Sequence, residues 1–109
     1  MNSFGNVYHL LRGPIPTRSD FLSREARGLF LPESDPYRED LNRGVSVVST
    51  LEGARSLRER FPRVRWRHAA RLDIPDGVRV EPTLWEGHYT VWAEADDLVR
   101  WVVEVVALD

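Results

Sequence analysis

Apolar and polar residues alternate near the start of the chain, and this pattern predicts a first strand over residues 6–12. Val7, His9 and Leu11 would share one face of that strand, and the residues between them the other. Pro14 and Pro16 end the strand, because proline lacks the N–H that a β-ladder requires. A second strand is predicted over residues 45–48, directly before a Ser-Thr pair.

Three helices are predicted from capping residues and from apolar spacing. The first opens at Thr17, with Asp20 three residues later as in a capping box, and ends at Gly28. The second starts at residues 35–36, where an Asp-Pro pair suits N-cap and first-turn positions, and ends at residue 44. The third follows an S-x-x-E pattern that assigns the N-cap to Ser49 and ends before Pro62. The inner faces of the first and third helices are predicted to comprise Phe21, Leu22 and Ala26, and Leu51, Ala54, Leu57 and Phe61.

Strands predominate in the second half. The apolar period becomes two over residues 66–74, with Trp66, His68 and Leu72 on one face, which predicts a half-buried strand. A Pro-Asp-Gly turn follows, and residues 78–81 are expected to pair back as a hairpin, with Pro82 limiting them to a short or edge strand. Residues 88–93 predict another strand, 95–100 a helical turn, and 101–106 a central buried strand. We therefore expect an α+β fold with a split antiparallel or mixed sheet and two or three helices.

Composition restricts the function more than it defines it. The 109 residues suit a single domain, and 42% of them are hydrophobic. Without cysteine, the chain has no disulfides and no thiol chemistry, and three dispersed histidines disfavour a metal site. Every basic residue is arginine, yet the net charge is −2, which disfavours general nucleic-acid binding. The absence of a long apolar run or a secretory start predicts a cytoplasmic protein without membrane contact.

Three segments carry a family resemblance. They are VYHLLRGP at residues 7–14, followed by DF at 20–21 and RG at 27–28; VVST at 47–50; and EGHYTVW at 86–92. In this order they resemble the three motifs of ADP-ribosylating toxins of the cholera and pertussis type. The resemblance implies a bacterial toxin or modifying enzyme, a transferase that binds NAD between two halves of a split sheet. It also implies a protein or nucleic-acid acceptor and a cognate inhibitor protein.

The resemblance also assigns roles to individual residues. His9 stands where the cholera-type clade has arginine and the diphtheria-type clade has histidine, so it and Arg12 would hold the ribose and phosphates of NAD. Ser49 and Thr50 match the Ser-Thr pair of the second motif, and Glu86 begins the third. A catalytic glutamate there stabilises the cation that develops as nicotinamide leaves.

The third motif departs from the family at one position. His88 stands where the catalytic glutamate is expected, and an imidazole cannot stabilise a developing cation as a carboxylate does. Three alternatives remain: Glu86 acts with a shift of two residues, Glu81 acts instead, or the fold is kept and the activity lost. The last alternative makes the chain a non-catalytic protein-interaction module. A further hypothesis is RNA binding by the basic segment at residues 63–68.

Overall fold

The computed structural model describes residues 5–23, 26, 40–60 and 66–108, and its main element is one six-stranded antiparallel sheet. The strands are β1 (Gly5–Leu11), β2 (Val45–Val48), β3 (His68–Ile74), β4 (Arg79–Pro82), β5 (His88–Trp92) and β6 (Val102–Ala107). A 3-10 helix covers Arg18–Phe21, α1 covers Leu51–Arg60 and α2 covers Ala95–Arg100. The α+β class and the antiparallel sheet are thereby confirmed.

The strand order across the sheet is β4-β5-β2-β1-β3-β6. β1 pairs with β3 along its whole length, from Gly5 opposite Ile74 to Leu11 opposite His68. Its pairing with β2 consists of a single residue pair, Tyr8 with Val48. We call this β1–β2 junction the seam, because it joins two three-stranded parts of the sheet, β4-β5-β2 and β1-β3-β6.

Both faces of the sheet are covered. Successive residues of a strand point to opposite faces, and the strands carry apolar residues on both. On one face, the 3-10 helix and α2 contribute Phe21 and Leu98 to a buried cluster with strand residues such as Val7 and Leu72. On the other face, Ala54 of α1 lies in a second buried cluster with Leu10. The molecule is thus a helix–sheet–helix sandwich, and β1 contributes to both of its cores.

Three expectations about the later strands are wrong. β4 pairs with β5 rather than with β3, because β1 and β6 already occupy both edges of β3. β6 is an edge strand rather than a central one, and its Glu104 is exposed and pairs with Arg71 at 2.8 Å. Trp66 packs in the second cluster, on the side of Ala69 and not of Leu72. It precedes β3, so the alternation of faces along that strand does not include it. The expected edge position of the strand that ends at Pro82 is confirmed.

The helix starts are partly confirmed. Thr17 caps the 3-10 helix with Asp20, whose carboxylate accepts hydrogen bonds from the Thr17 N–H at 2.9 Å and hydroxyl at 3.0 Å. Ala26 is exposed and does not extend the inner face that Phe21 begins. The N-cap of α1 is Thr50 rather than Ser49, since the Thr50 Oγ1 accepts the Gly53 N–H at 2.9 Å. The predicted positions 28, 35–36 and 61–65 lie outside the described residues, and these include residues 63–65, half of the basic segment.

Candidate functional site

His9 lies at the seam, and its ring contacts two other elements, β2 and the 3-10 helix. Its Nδ1 is 2.8 Å from the main-chain oxygen of Ser46 in β2, across the junction. Its Nε2 is 2.5 Å from the main-chain oxygen of Asp20 in the 3-10 helix. The ring stacks on Phe21, with 4.7 Å between the centroids. Because both ring nitrogens face protein carbonyls, His9 positions neighbouring main-chain segments in this conformation and does not present either nitrogen to a ligand.

At one end of the seam, Ser49 and Thr50 lie beside the turn that carries Glu86. The register between β2 and β5 ends with Val48 opposite His88, and just beyond it the Ser49 N–H donates to the Gly87 carbonyl at 3.0 Å. Glu86 is exposed in the turn between β4 and β5. Antiparallel pairing therefore places the Ser-Thr segment beside the turn that carries the carboxylate.

His88 is buried on the opposite face of the sheet from His9. It pairs with Val48, which belongs to the α1-side cluster, whereas His9 stacks on Phe21 of the other cluster. Its side chain is 1% exposed, and Nδ1 donates to the Thr83 carbonyl at 3.0 Å. His88 thus occupies a core position at the place where the family resemblance calls for a catalytic glutamate.

Arg12 lies toward the other end of the seam. Neighbouring antiparallel strands leave the sheet at opposite ends, so the residues after β1 and after β2 diverge. The separation between Arg12 and Ser49 along the strand direction is ~17 Å at about 3.4 Å per residue. Arg12 is exposed, and the structure does not bring it to the Ser49–Glu86 end.

The structure also has an open cavity that the sequence did not indicate. Its volume is about 800 Å³, and its lining includes Arg18, Arg43, Arg79, Trp92 and Trp101. No local motif marks these residues, because they are brought together by the sheet from five separate segments. Among the described residues it is a second candidate for holding a small molecule.

Arg79, in the lining of this cavity, is held by one aromatic ring and two carboxylates. Its guanidinium lies 3.7 Å from the centroid of the Trp92 ring and donates to both carboxylate oxygens of Asp40, at 2.6 and 3.2 Å. A further bond goes to Glu81 at 2.8 Å. The hydrogen bond from Arg79 lowers the pKa of Asp40, and the same bond raises the pKa of Arg79. The charge of Arg79 is therefore matched within the protein.

Metal sites, membrane spans and similarity to known proteins were the remaining features that could indicate a function. Within residues 5–23, 26, 40–60 and 66–108, no three His, Asp or Glu side chains cluster as metal ligands. The same residues include no helix with the length and apolar character needed to cross a membrane. The chain significantly matches no family model, no curated protein and no solved structure.

Proposed function

We propose that this chain is an ADP-ribosyltransferase-like domain that binds NAD at the seam, as bacterial toxins and modifying enzymes of that class do. The observation that carries the proposal is the single residue pair, Tyr8 with Val48, that joins the two three-stranded parts of the sheet. The motif resemblance calls for a split sheet with the dinucleotide between its halves, and this junction has fewer residue pairs than any other between neighbouring strands. The ordered motifs and this single-pair junction are the two lines of support.

The Ser49–Glu86 end of the seam is the proposed site for the nicotinamide ribose. The Ser49 hydroxyl and the Glu86 carboxylate lie on adjacent strand ends, joined by the bond from the Ser49 N–H to Gly87 at 3.0 Å. A carboxylate here would stabilise the positive charge that develops on the ribose as nicotinamide leaves. His9 would act by fixing β2 and the 3-10 helix, because its ring nitrogens are directed at their carbonyls.

NAD binding is tested first by thermal unfolding of the purified chain with and without the dinucleotide. Ligand at 100 times its dissociation constant adds about 2.7 kcal/mol of apparent stability, which is a shift of several degrees in a domain of this size. Ser49→Ala should reduce the shift, whereas Ser56→Ala, an exposed serine on α1, is the matched control. An unchanged melting temperature at millimolar NAD would contradict the proposal.

Catalysis is tested separately by release of nicotinamide from NAD. Glu86→Gln should abolish release and leave the melting temperature unchanged, because Glu86 is exposed. Glu59→Gln, at an exposed position of α1, is the matched control and should retain full turnover. Equal turnover in the two variants would exclude Glu86 as the catalytic carboxylate and direct the test to Glu81.

The second candidate function is a non-catalytic interaction module, and the position of His88 favours it. The third motif has a histidine where the family has its catalytic acid. Because this imidazole is 1% exposed, it cannot reach a substrate either. The adjoining turn exposes Leu84 and Trp85, with 39% and 40% of their surfaces accessible. This candidate predicts that NAD produces no thermal shift and that Trp85→Ala leaves the fold intact while abolishing binding to the partner protein.

A further inference from the structure

The two contacts of the His9 ring require more protons than a neutral imidazole carries. Neutral imidazole has one N–H donor and one acceptor nitrogen, whereas a carbonyl oxygen can only accept. The Ser46 and Asp20 carbonyl oxygens lie 2.8 and 2.5 Å from Nδ1 and Nε2. Either neutral tautomer would satisfy one carbonyl and turn a nitrogen lone pair toward the other. The doubly protonated imidazolium donates to both.

We propose that His9 is an imidazolium in the folded protein and serves as a pH-sensitive clamp across the seam. The clamp joins three elements: β1, which carries the ring; β2, through Ser46; and the 3-10 helix, through Asp20. It matters at this place because only Tyr8 and Val48 pair directly between β1 and β2. The proposal concerns the coupling of the two parts of the sheet and does not depend on NAD binding.

Charged groups lie on the 3-10 helix, β3 and α2, near the His9 ring. The Asp20 carboxylate accepts the Thr17 N–H at 2.9 Å, and the Asp20 main-chain oxygen lies 2.5 Å from the His9 ring. β2 contributes no titratable side chain, and the β3 residue opposite His9 is Ala70. The titratable groups on the other described elements nearby are Arg18 on the 3-10 helix, His68, Arg71 and Asp73 on β3, and Asp96, Asp97 and Arg100 on α2. Arg18 is paired with Asp96 at 3.4 Å, Arg71 with Glu104 at 2.8 Å, and Arg100 with Asp97.

The direction of the pH effect follows from the donor count. At acidic and neutral pH both ring N–H groups are present, and both carbonyls are bound. As the pH rises and the ring loses a proton, one of the two bonds is lost, and either the strand β2 or the 3-10 helix is released from the ring. The stabilising contribution of His9 is therefore largest at low pH and decreases as the pH rises.

The protonation state can be read directly by nitrogen-15 NMR of the histidine rings in the wild-type chain. The chain has three histidines, and the His9 ring is assigned by its contact with Phe21, at 4.7 Å between centroids. We expect both ring nitrogens of His9 to carry protons at pH 7. A His9 ring with one unprotonated nitrogen at that pH would overturn the proposal.

The clamp itself is tested by the pH dependence of thermal unfolding in His9→Gln. A glutamine amide keeps a single donor group, so at pH 6 the variant should melt at least about 5 °C below the wild type, the shift expected for loss of a charge-assisted hydrogen bond in a domain of this size. The difference should become smaller at pH 9, where the wild type has lost one bond as well. A difference that is equal at pH 6 and pH 9 would refute the clamp. Should the variant not fold, the NMR measurement on the wild type decides alone.

Discussion

Gly44 precedes β2 at a place where the structure leaves no space for a side chain. A Cβ atom built at Gly44 would lie 2.2 Å from the Cγ2 methyl of Thr90, 3.2 Å from the Val91 carbonyl oxygen and 3.3 Å from the Trp92 ring. Thr90 is fully buried, and its hydroxyl lies 2.8 Å from that of Thr83, so it cannot turn away without losing a hydrogen bond. We therefore expect Gly44→Ala to destabilise the fold by about 1–3 kcal/mol through overpacking.

The matched control is Gly13→Ala. Nothing lies within 4 Å of a Cβ atom at Gly13, and neither glycine has a positive φ. The control should therefore leave the stability unchanged or raise it by about 0.4–1 kcal/mol, because alanine restricts the unfolded chain. Urea unfolding of the two variants isolates the cost of the close approach at Gly44. Equal midpoints for the two variants would refute this reasoning.

A double-mutant cycle identifies the atom responsible. Thr90→Ser removes the clashing methyl and keeps the hydroxyl that faces Thr83, at a cost of about 1 kcal/mol for the lost buried group. In the Thr90→Ser background, Gly44→Ala should lower the free energy of unfolding by about 1 kcal/mol less than it does in the wild type, or by a still smaller amount. Only the looser contacts, at 3.2 and 3.3 Å, remain there. An additive result, with the same cost in both backgrounds, would show that the methyl is not the obstacle.

Three further predictions concern contacts described above. Thr50→Ala should lower the stability by about 1 kcal/mol in urea unfolding because it removes the α1 N-cap, whereas Ser49→Ala leaves that cap in place. Thr83→Val leaves two buried polar side chains without their Oγ1 partner and should cost about 1–3 kcal/mol, measured in the same way. Arg79→Gln should raise the pKa of Asp40 toward its ordinary value, as followed by carboxyl-carbon NMR, and should reduce the part of the wild-type stability that is lost as the pH falls through that pKa.

The sequence predicted the elements better than it predicted their partners. β2 and α2 have the predicted bounds, and the capping pair at Thr17 lies where its residue types indicate, since these features depend on neighbours within a few residues. Pairing depends on contacts far apart in the chain. A Pro-Asp-Gly turn after β3 is compatible with a hairpin, but β1 and β6 occupy both edges of β3 and displace β4 to the far side of the sheet.

In the candidate site, too, the sequence indicates residue types, whereas strand pairing determines which of them are neighbours. Short motifs indicate Ser49 and Glu86, and antiparallel pairing places Ser49 beside the turn that carries Glu86. Strand direction sends Arg12 to the other end, and strand alternation turns His88 into the core. The Arg79–Trp92 cavity has no sequence signal, since its residues become neighbours only through the strand order. Residue types thus indicate chemistry, and register decides which of them can act together.

The path of the chain between the two parts of the sheet has a consequence for how the protein can be divided. β1, β3 and β6 lie on one side of the seam and β2, β4 and β5 on the other, so the polypeptide passes from side to side four times. No single cut yields a fragment holding all three strands of one side and none of the other. Neither side can therefore be expressed as an independent unit, and truncation at any loop removes strands from a sheet that must assemble from distant parts of the chain. Such assembly predicts slow folding relative to helical proteins of equal length.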